Sequence, residues 1–161
     1  MSKQSINTIN LDYPPDLVME VLCSPEFQKA NFLKQGNPSA DVKEVSRTDN
    51  EAVIKAEVEE YAKGVTGVDK SRTEKTVTVY KWDLKNRKAE WDYDSPHGDR
   101  VKVTGSIDIQ PTDKGCSVTE KFNVTVKIPL VGGKVEKKVI EEVEKYYPKY
   151  EALLKEHCAK K

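Results

Sequence analysis

Glu120 stands where an acid has the most to do. Between Cys116 and Ile128 the side chains alternate. Cys116, Val118, Phe122, Val124, Val126 and Ile128 take one face, and Ser117, Thr119, Lys121, Asn123, Thr125 and Lys127 the other. This is the period of a strand with one face covered and one wet. Glu120 falls in the covered register, between Val118 and Phe122. Burying an unpaired carboxylate is costly or raises its pKa, so Glu120 reads as a polar anchor in a ligand cavity, or as an acid or base working there. The structural alternatives are a nearby Lys or Arg partner, or a local bulge that turns the side chain outward.

Aromatic residues gather at compatible spacings. Tyr80, Trp82, Trp91 and Tyr93 recur at strand period, whereas Tyr146 and Tyr150 recur at helical period. Rings with hydroxyl tips suit an amphipathic or ring-bearing ligand, and the same residues would serve equally as core. With Ile107 and Phe122 on covered strand faces, the candidate ligand-binding set is Trp91, Tyr93, Ile107, Glu120, Phe122, Tyr146 and Tyr150. Nothing completes a nucleophile, base and orienter around either histidine. His97 sits in a solvated Pro-Gly turn, and His157 lies near a helix C-terminus, where a histidine is favourable against the helix dipole. No catalytic residue, metal site or cofactor is expected. Cys23, Cys116 and Cys158 are an odd number at wide spacing without a CxxC pair, and they read as buried free thiols for at least two of the three. Glu57, Glu59 and Glu60 lack metal-site spacing, with Glu57 and Glu59 on an outer strand face. Gly132-Gly133 lacks the surrounding pattern of a phosphate loop and reads as a flexible junction.

These residues need elements to position them. From Lys134 to Cys158 one long amphipathic helix places Val135, Val139, Ile140, Val143, Tyr146, Tyr147, Tyr150, Leu153, Leu154 and Cys158 within an arc of roughly 140°. Glu136 is the only charged intruder. The helix spans on the order of 37 Å at about 1.5 Å per residue and must lie along something long. Pro148 falls on its solvent side, where a kink would bend it toward the sheet. Its charged back carries i,i+4 pairs such as Glu141-Lys145 and Glu151-Lys155. The rest of the chain supplies the long surface. A first strand over Ser5 to Leu11 leads through Pro14-Pro15 into two short helices. The second is capped at Ser24-Pro25 and continues through Phe27, Ala30, Asn31 and Leu33. Six strands follow: Ala40 to Ser46, Ala52 to Tyr61, Thr73 to Trp82, Lys88 to Asp94, then the two around Ile107 and Glu120. Lys63 to Val68 reads as a looser connection. Both registers of Thr76 to Trp82 carry apolar residues, so its inward face stays open.

Composition closes off several classes. Among 161 residues, Lys plus Arg and Asp plus Glu each total 27, a balance that argues against a nucleic-acid partner and, on the helix back, against a membrane surface. No apolar run reaches the roughly 20 residues of a membrane span, and the first residues lack the apolar stretch of a signal peptide. A cytoplasmic single domain over 1–161 is expected, without repeat or linker.

The order β, α, α, six strands, long helix, together with Ile128-Pro129-Leu130-Val131-Gly132-Gly133-Lys134-Val135-Glu136, resembles the START and polyketide-cyclase-like superfamily. This superfamily has the helix-grip fold, also seen in birch-pollen-allergen-type proteins. The Pro-Leu-Val-Gly-Gly-Lys stretch is similar to a bacterial domain-of-unknown-function family within it. The resemblance implies an α+β fold in which a curved antiparallel sheet of about seven strands wraps the C-terminal helix. It also implies a small hydrophobic or amphipathic ligand, lipid- or polyketide-like, held between sheet and helix. Two alternatives stand beside this: a cyclase- or hydrolase-like enzyme using the same cavity, and a protein-interaction module without a ligand, whose partner the sequence does not identify.

Overall fold

The computed structural model describes residues 2–64 and 67–161. β1 (Ser2–Leu11) leads into α1 (Pro15–Leu22) and α2 (Pro25–Lys34), followed by β2 (Ser39–Arg47), β3 (Glu51–Gly64), β4 (Gly67–Asp83), β5 (Lys88–Asp94), β6 (Val101–Thr112), β7 (Gly115–Val126) and α3 (Gly132–Ala159). The looser connection expected across Lys63 to Val68 falls partly on residues 65 and 66, outside the described residues. Both short helices begin with proline in the first turn, where its missing N–H costs nothing. The Ser24 hydroxyl accepts the Phe27 N–H at 3.2 Å.

The strands form one antiparallel sheet in the order β1-β7-β6-β5-β4-β3-β2. β2 to β7 follow the chain as a meander, while β1 joins the far edge beside β7. Side-chain alternation divides the sheet cleanly. The inner face carries Ile9 and Leu11 from β1, Ile54, Ala56 and Val58 from β3, Ile107 and Ile109 from β6, and Val118 and Val124 from β7, all buried. On β4 the inward register is Thr76, Thr78, Tyr80 and Trp82, all buried, which settles the open question in favour of the more polar-looking set. Thr76 is accommodated because its hydroxyl donates to Glu60 Oε2 at 2.6 Å.

α1 and α2 cover part of the inner face, and α3 lies across β1 and β7 and against both short helices. α2 departs from the expected stripe. Its buried residues are Phe27, Gln28, Asn31 and Phe32, whereas Leu33 is 41% exposed. The two amides tolerate burial because they find partners: Gln28 Nε2 donates to the Leu22 carbonyl at 2.9 Å, and Asn31 accepts the Tyr146 hydroxyl at 2.7 Å.

α3 begins in close contact with the end of β7. Gly132 is buried, and a Cβ there would overlap the carbonyl of Val126. One turn on, Glu136 is 0% exposed, and its Oε2 accepts the Val126 N–H at 2.8 Å. Both backbone polar groups of Val126 thus meet the first turns of the helix. The described pairing of β1 with β7 ends at Ser2↔Thr125, so Glu136 takes the strand amide just past the last pair. Lys3 Nζ lies 3.7 Å from Glu136 Oε1 and donates to the Gly133 carbonyl at 3.2 Å. The charged intruder on the helical stripe is therefore the residue that docks the helix, and Gly132 is small for close approach. α3 runs without interruption through the exposed Pro148. Of the two helix pairs expected, Glu151-Lys155 is present at 3.1 Å, whereas Lys145 meets Glu142 at 3.6 Å.

The two glycines should respond oppositely to alanine. Gly132→Ala should destabilise the domain by about 1–3 kcal/mol through backbone overlap. Gly133→Ala, with nothing within 4 Å of its added Cβ, should be neutral or stabilising by about 0.5–1 kcal/mol from helix propensity. Urea unfolding of the two variants checks the contrast, and equal effects would contradict it.

Candidate functional site on the inner face

Glu120 occupies the middle of the inner face, opposite Asn7 on β1 and Ile107 on β6. β7 pairs in continuous register on both sides, so no bulge turns the residue outward. No described Lys or Arg forms an ion pair with it. The side chain as a whole is partly buried, but Oε2 is shut off from solvent and has no hydrogen-bond partner among the described residues. The Tyr150 hydroxyl is its hydrogen-bonding neighbour. Burial pushes the Glu120 carboxyl up to about 7, and the Tyr150 hydrogen bond only partly offsets this. The carboxylate in turn holds the Tyr150 and Tyr80 hydroxyls above their ordinary range, adding to the larger effect of burial. Tyr147 is also raised, first by burial, with the Ser5 hydrogen bond opposing.

A chain of buried polar contacts surrounds this acid. The Tyr80 hydroxyl donates to Gln28 Oε1 at 3.2 Å, Asn31 Nδ2 lies 3.4 Å from the same oxygen, and Tyr146 links α3 to Asn31 on α2. On the other side of the helix Ser5 donates to Glu144 at 2.9 Å and lies 2.6 Å from the Tyr147 hydroxyl. These bonds fix α3 in position over the sheet while leaving one acid oxygen unused.

Beyond Glu120 the inner face turns apolar. Trp91 lies over Gly105, where a Cβ would overlap the indole, and its ring centroid is 5.7 Å from Phe122 and 6.4 Å from Tyr80. Trp91, Tyr93 and Phe122 pack around Val103, Val124 and Val126 together with Val135, Val139 and Ile140 of α3. Trp91 belongs to this cluster and also touches the larger core. Of the seven residues proposed from sequence, Trp91, Tyr93, Phe122, Tyr146 and Glu120 are partly buried on the inner side, and Tyr150 is 8% exposed. Ile107, 2% exposed, is part of the main core beneath them. Surface hollows lie elsewhere. One of ≈ 290 Å³ is bounded by Lys34 and by α3 from Pro148 to Glu156, and one of ≈ 540 Å³ runs along Val126 to Gly133.

The other candidates have structural roles. His157 packs edge-on against Phe27 at 5.3 Å. His97 is exposed but lies 3.2 Å from Glu74. All three cysteines are free and buried. No group of metal-ligating side chains occurs among the described residues. Gln28, Asn7 and Ser5 escaped the sequence reading, whereas Asn31 stood on the expected stripe of the second helix without a role. For Gln28 a signal existed, since Phe27, Asn31 and Phe32 surround it on one helical face. Ser5 shares the alternation of Ile9 and Leu11.

The architecture is the helix-grip fold, a curved antiparallel sheet against a long C-terminal helix. The chain belongs to the family described as "Protein of unknown function (DUF2505)", whose model matches residues 7–157. No curated protein matches the sequence significantly. Among solved structures it is similar to the Zhui aromatase/cyclase from Streptomyces sp. R1128, with 15% identity, TM-score 0.60, and 98% of this chain and 92% of that one covered. It is also similar to Ara h 8.0201, with 11% identity, TM-score 0.62, and 100% of both chains covered. A START superfamily protein from Mycobacterium smegmatis shows 14% identity, TM-score 0.60, and coverage of 95% of this chain and 97% of that one. At these identities the likeness establishes the fold. No described helix is long and apolar enough to cross a membrane.

Glu120 should leave a signature in pH-dependent stability. A carboxyl whose folded pKa is about 7, above the unfolded value near 4.3, stabilises the fold below the unfolded value. That contribution is lost as pH rises through 7. Glu120→Gln, which cannot ionise, should therefore match the wild type near pH 4. At pH 8 it should exceed it by on the order of 1–3 kcal/mol, the lower end reflecting solvent screening of a partly exposed side chain. Urea titrations at the two pH values test this. A difference independent of pH would assign Glu120 no buried ionisation.

Proposed function

We propose that the domain binds a small hydrophobic or amphipathic molecule, lipid- or polyketide-like, between the sheet and α3. The observation that supports this most is the contrast along one surface. Partly buried Trp91, Phe122 and Tyr93 line an apolar stretch, and next to it Glu120 holds an oxygen closed to solvent with no partner among the described residues. Partly buried rings leave apolar surface that a guest can cover, and a buried polar atom is ordinarily paired. An amphipathic guest would meet both. Its apolar body would displace water from the rings at roughly 25 cal/mol per Å², and a donor group would meet Glu120. The rings lie about 6 Å apart in chains of contact, so admission means that they part and α3 shifts.

Glu120 also favours a second reading. A carboxyl held near neutrality beside a tyrosine hydroxyl is suited to proton transfer, and a cyclase- or hydrolase-like reaction would use it as acid or base. In that case Glu120→Gln loses turnover while ligand affinity is largely kept.

Native mass spectrometry of the purified protein, with organic extraction of anything retained, and thermal shifts against a lipid and polyketide panel test the binding reading. A ligand present at 100 times its Kd adds about 2.7 kcal/mol to stability, about 5–10 °C in a domain of this length. An empty protein whose melting temperature ignores the whole panel would overturn the proposal and favour an interaction module without a ligand.

A further inference from the structure

The chain carries no net charge, yet its charges are not evenly spread. The segment from Val126 to Lys138 joins β7 to α3 and contains Lys127, Lys134, Lys137 and Lys138, all exposed. Its single acid, Glu136, is 0% exposed and occupied by the Val126 N–H and Lys3, so it lends little negative potential to the surface. The neighbouring turn is bound to this segment by the Lys127 N–H to the Arg100 carbonyl at 2.7 Å. It adds exposed Arg100 and Lys102 against exposed Asp99. α3 opens with no side-chain cap and no acidic residue in its first turn, so its dipole contributes positive potential on the same side.

At the tip of this basic segment is Leu130, 101% exposed, with Ile128 at 37%. Leu130 has φ 71°, a left-handed conformation that side chains other than glycine seldom adopt. The fold thus holds a large apolar side chain outward in a conformation that glycine or asparagine would occupy more easily. No described residue packs on it.

We propose that the β7–α3 loop is a docking point for an anionic bilayer surface, with Leu130 and Ile128 dipping among the acyl chains and the lysines lying at the headgroup level. A single protruding apolar residue ringed by lysines is a poor match for a protein partner, because interface cores are broad, aromatic and depleted of lysine. It matches an anionic leaflet, which offers hydrocarbon beneath a negative surface and attracts juxtaposed Lys and Arg. Lysine stems can snorkel along the apolar boundary while their ammonium groups stay at the phosphates. The surface exists whether or not the inner face holds a guest.

Co-sedimentation of the full chain with vesicles tests this. One set is pure phosphatidylcholine, and in the other about a third of the lipid is phosphatidylglycerol, a proportion giving the surface the negative potential required. The expected result is binding to the anionic vesicles at least roughly tenfold tighter than to the neutral ones, weakening as salt rises. Leu130→Gly removes the wedge and relieves the left-handed strain. It should reduce anionic binding roughly tenfold with an unchanged or higher melting temperature, which separates lost docking from lost folding. Lys127→Glu with Lys134→Glu should remove the preference for anionic lipid. Equal partition into both vesicle types, undiminished binding by Leu130→Gly, or no binding to either would overturn the proposal, the last assigning the loop to a protein or to water.

Discussion

Glu136 accepts the N–H of Val126 at 2.8 Å while Gly132 packs on the carbonyl of the same residue, and the placement of the long helix depends on that double contact. α3 leaves β7 after a short loop and must then run across the inner face without an intervening element to steer it. Its direction is set in its first two turns. A carboxylate on a strand amide is a charge-assisted bond, and burying it is tolerable because Oε2 is paired and Lys3 is within 3.7 Å of Oε1. Tyr146 on Asn31 fixes the middle of the helix to α2, and His157 on Phe27 fixes its end to the same helix.

Pinning the helix over β1 and β7 has consequences for the rest of the inner face. α1 and α2 close part of it, and the broad core forms there around Ile54, Phe27 and Leu154. The stretch under the first half of α3 receives only aliphatic side chains from the helix, Val135, Val139 and Ile140, with aromatics from the sheet. Glu120 stands at the boundary between the two. Its carboxyl is raised to about 7 because burial disfavours the anion and one tyrosine hydroxyl is too little to restore it.

Much of this was legible in the sequence, because alternation along strands and the 3.6 period of helices are direct records of which face is covered. Both short helices, the six-strand meander, the inward register of Glu120 and the long helix all follow from it. Where the reading failed, a polar residue was buried by virtue of a distant partner. Gln28 looks solvent-facing until Leu22 and Tyr80 are brought to it, and Asn31, though on the expected stripe, has no visible partner until Tyr146 arrives. Glu136 reads as an intruder until the end of β7 supplies an amide. The inward register of β4 was undecidable because both of its faces carry apolar residues, and Thr76 owes its inward place to Glu60 across the strand pair. Pattern reports hydrophobic partition, whereas these positions are decided by pairing at long sequence separation.

Whether the aromatic stretch under α3 accepts an apolar guest can be tested without knowing the natural ligand. Xenon enters apolar cavities irrespective of their chemistry, and the chain has two tryptophans as reporters. Trp91 borders the proposed site, and Trp82, 2% exposed, lies in the closed core. Two-dimensional NMR of the indole and valine methyl groups under xenon pressure should give saturable shifts at Trp91, Val103, Val124 and Val139, with Trp82 unmoved. Small, linear shifts spread over the whole molecule would mean that the inner face admits no guest.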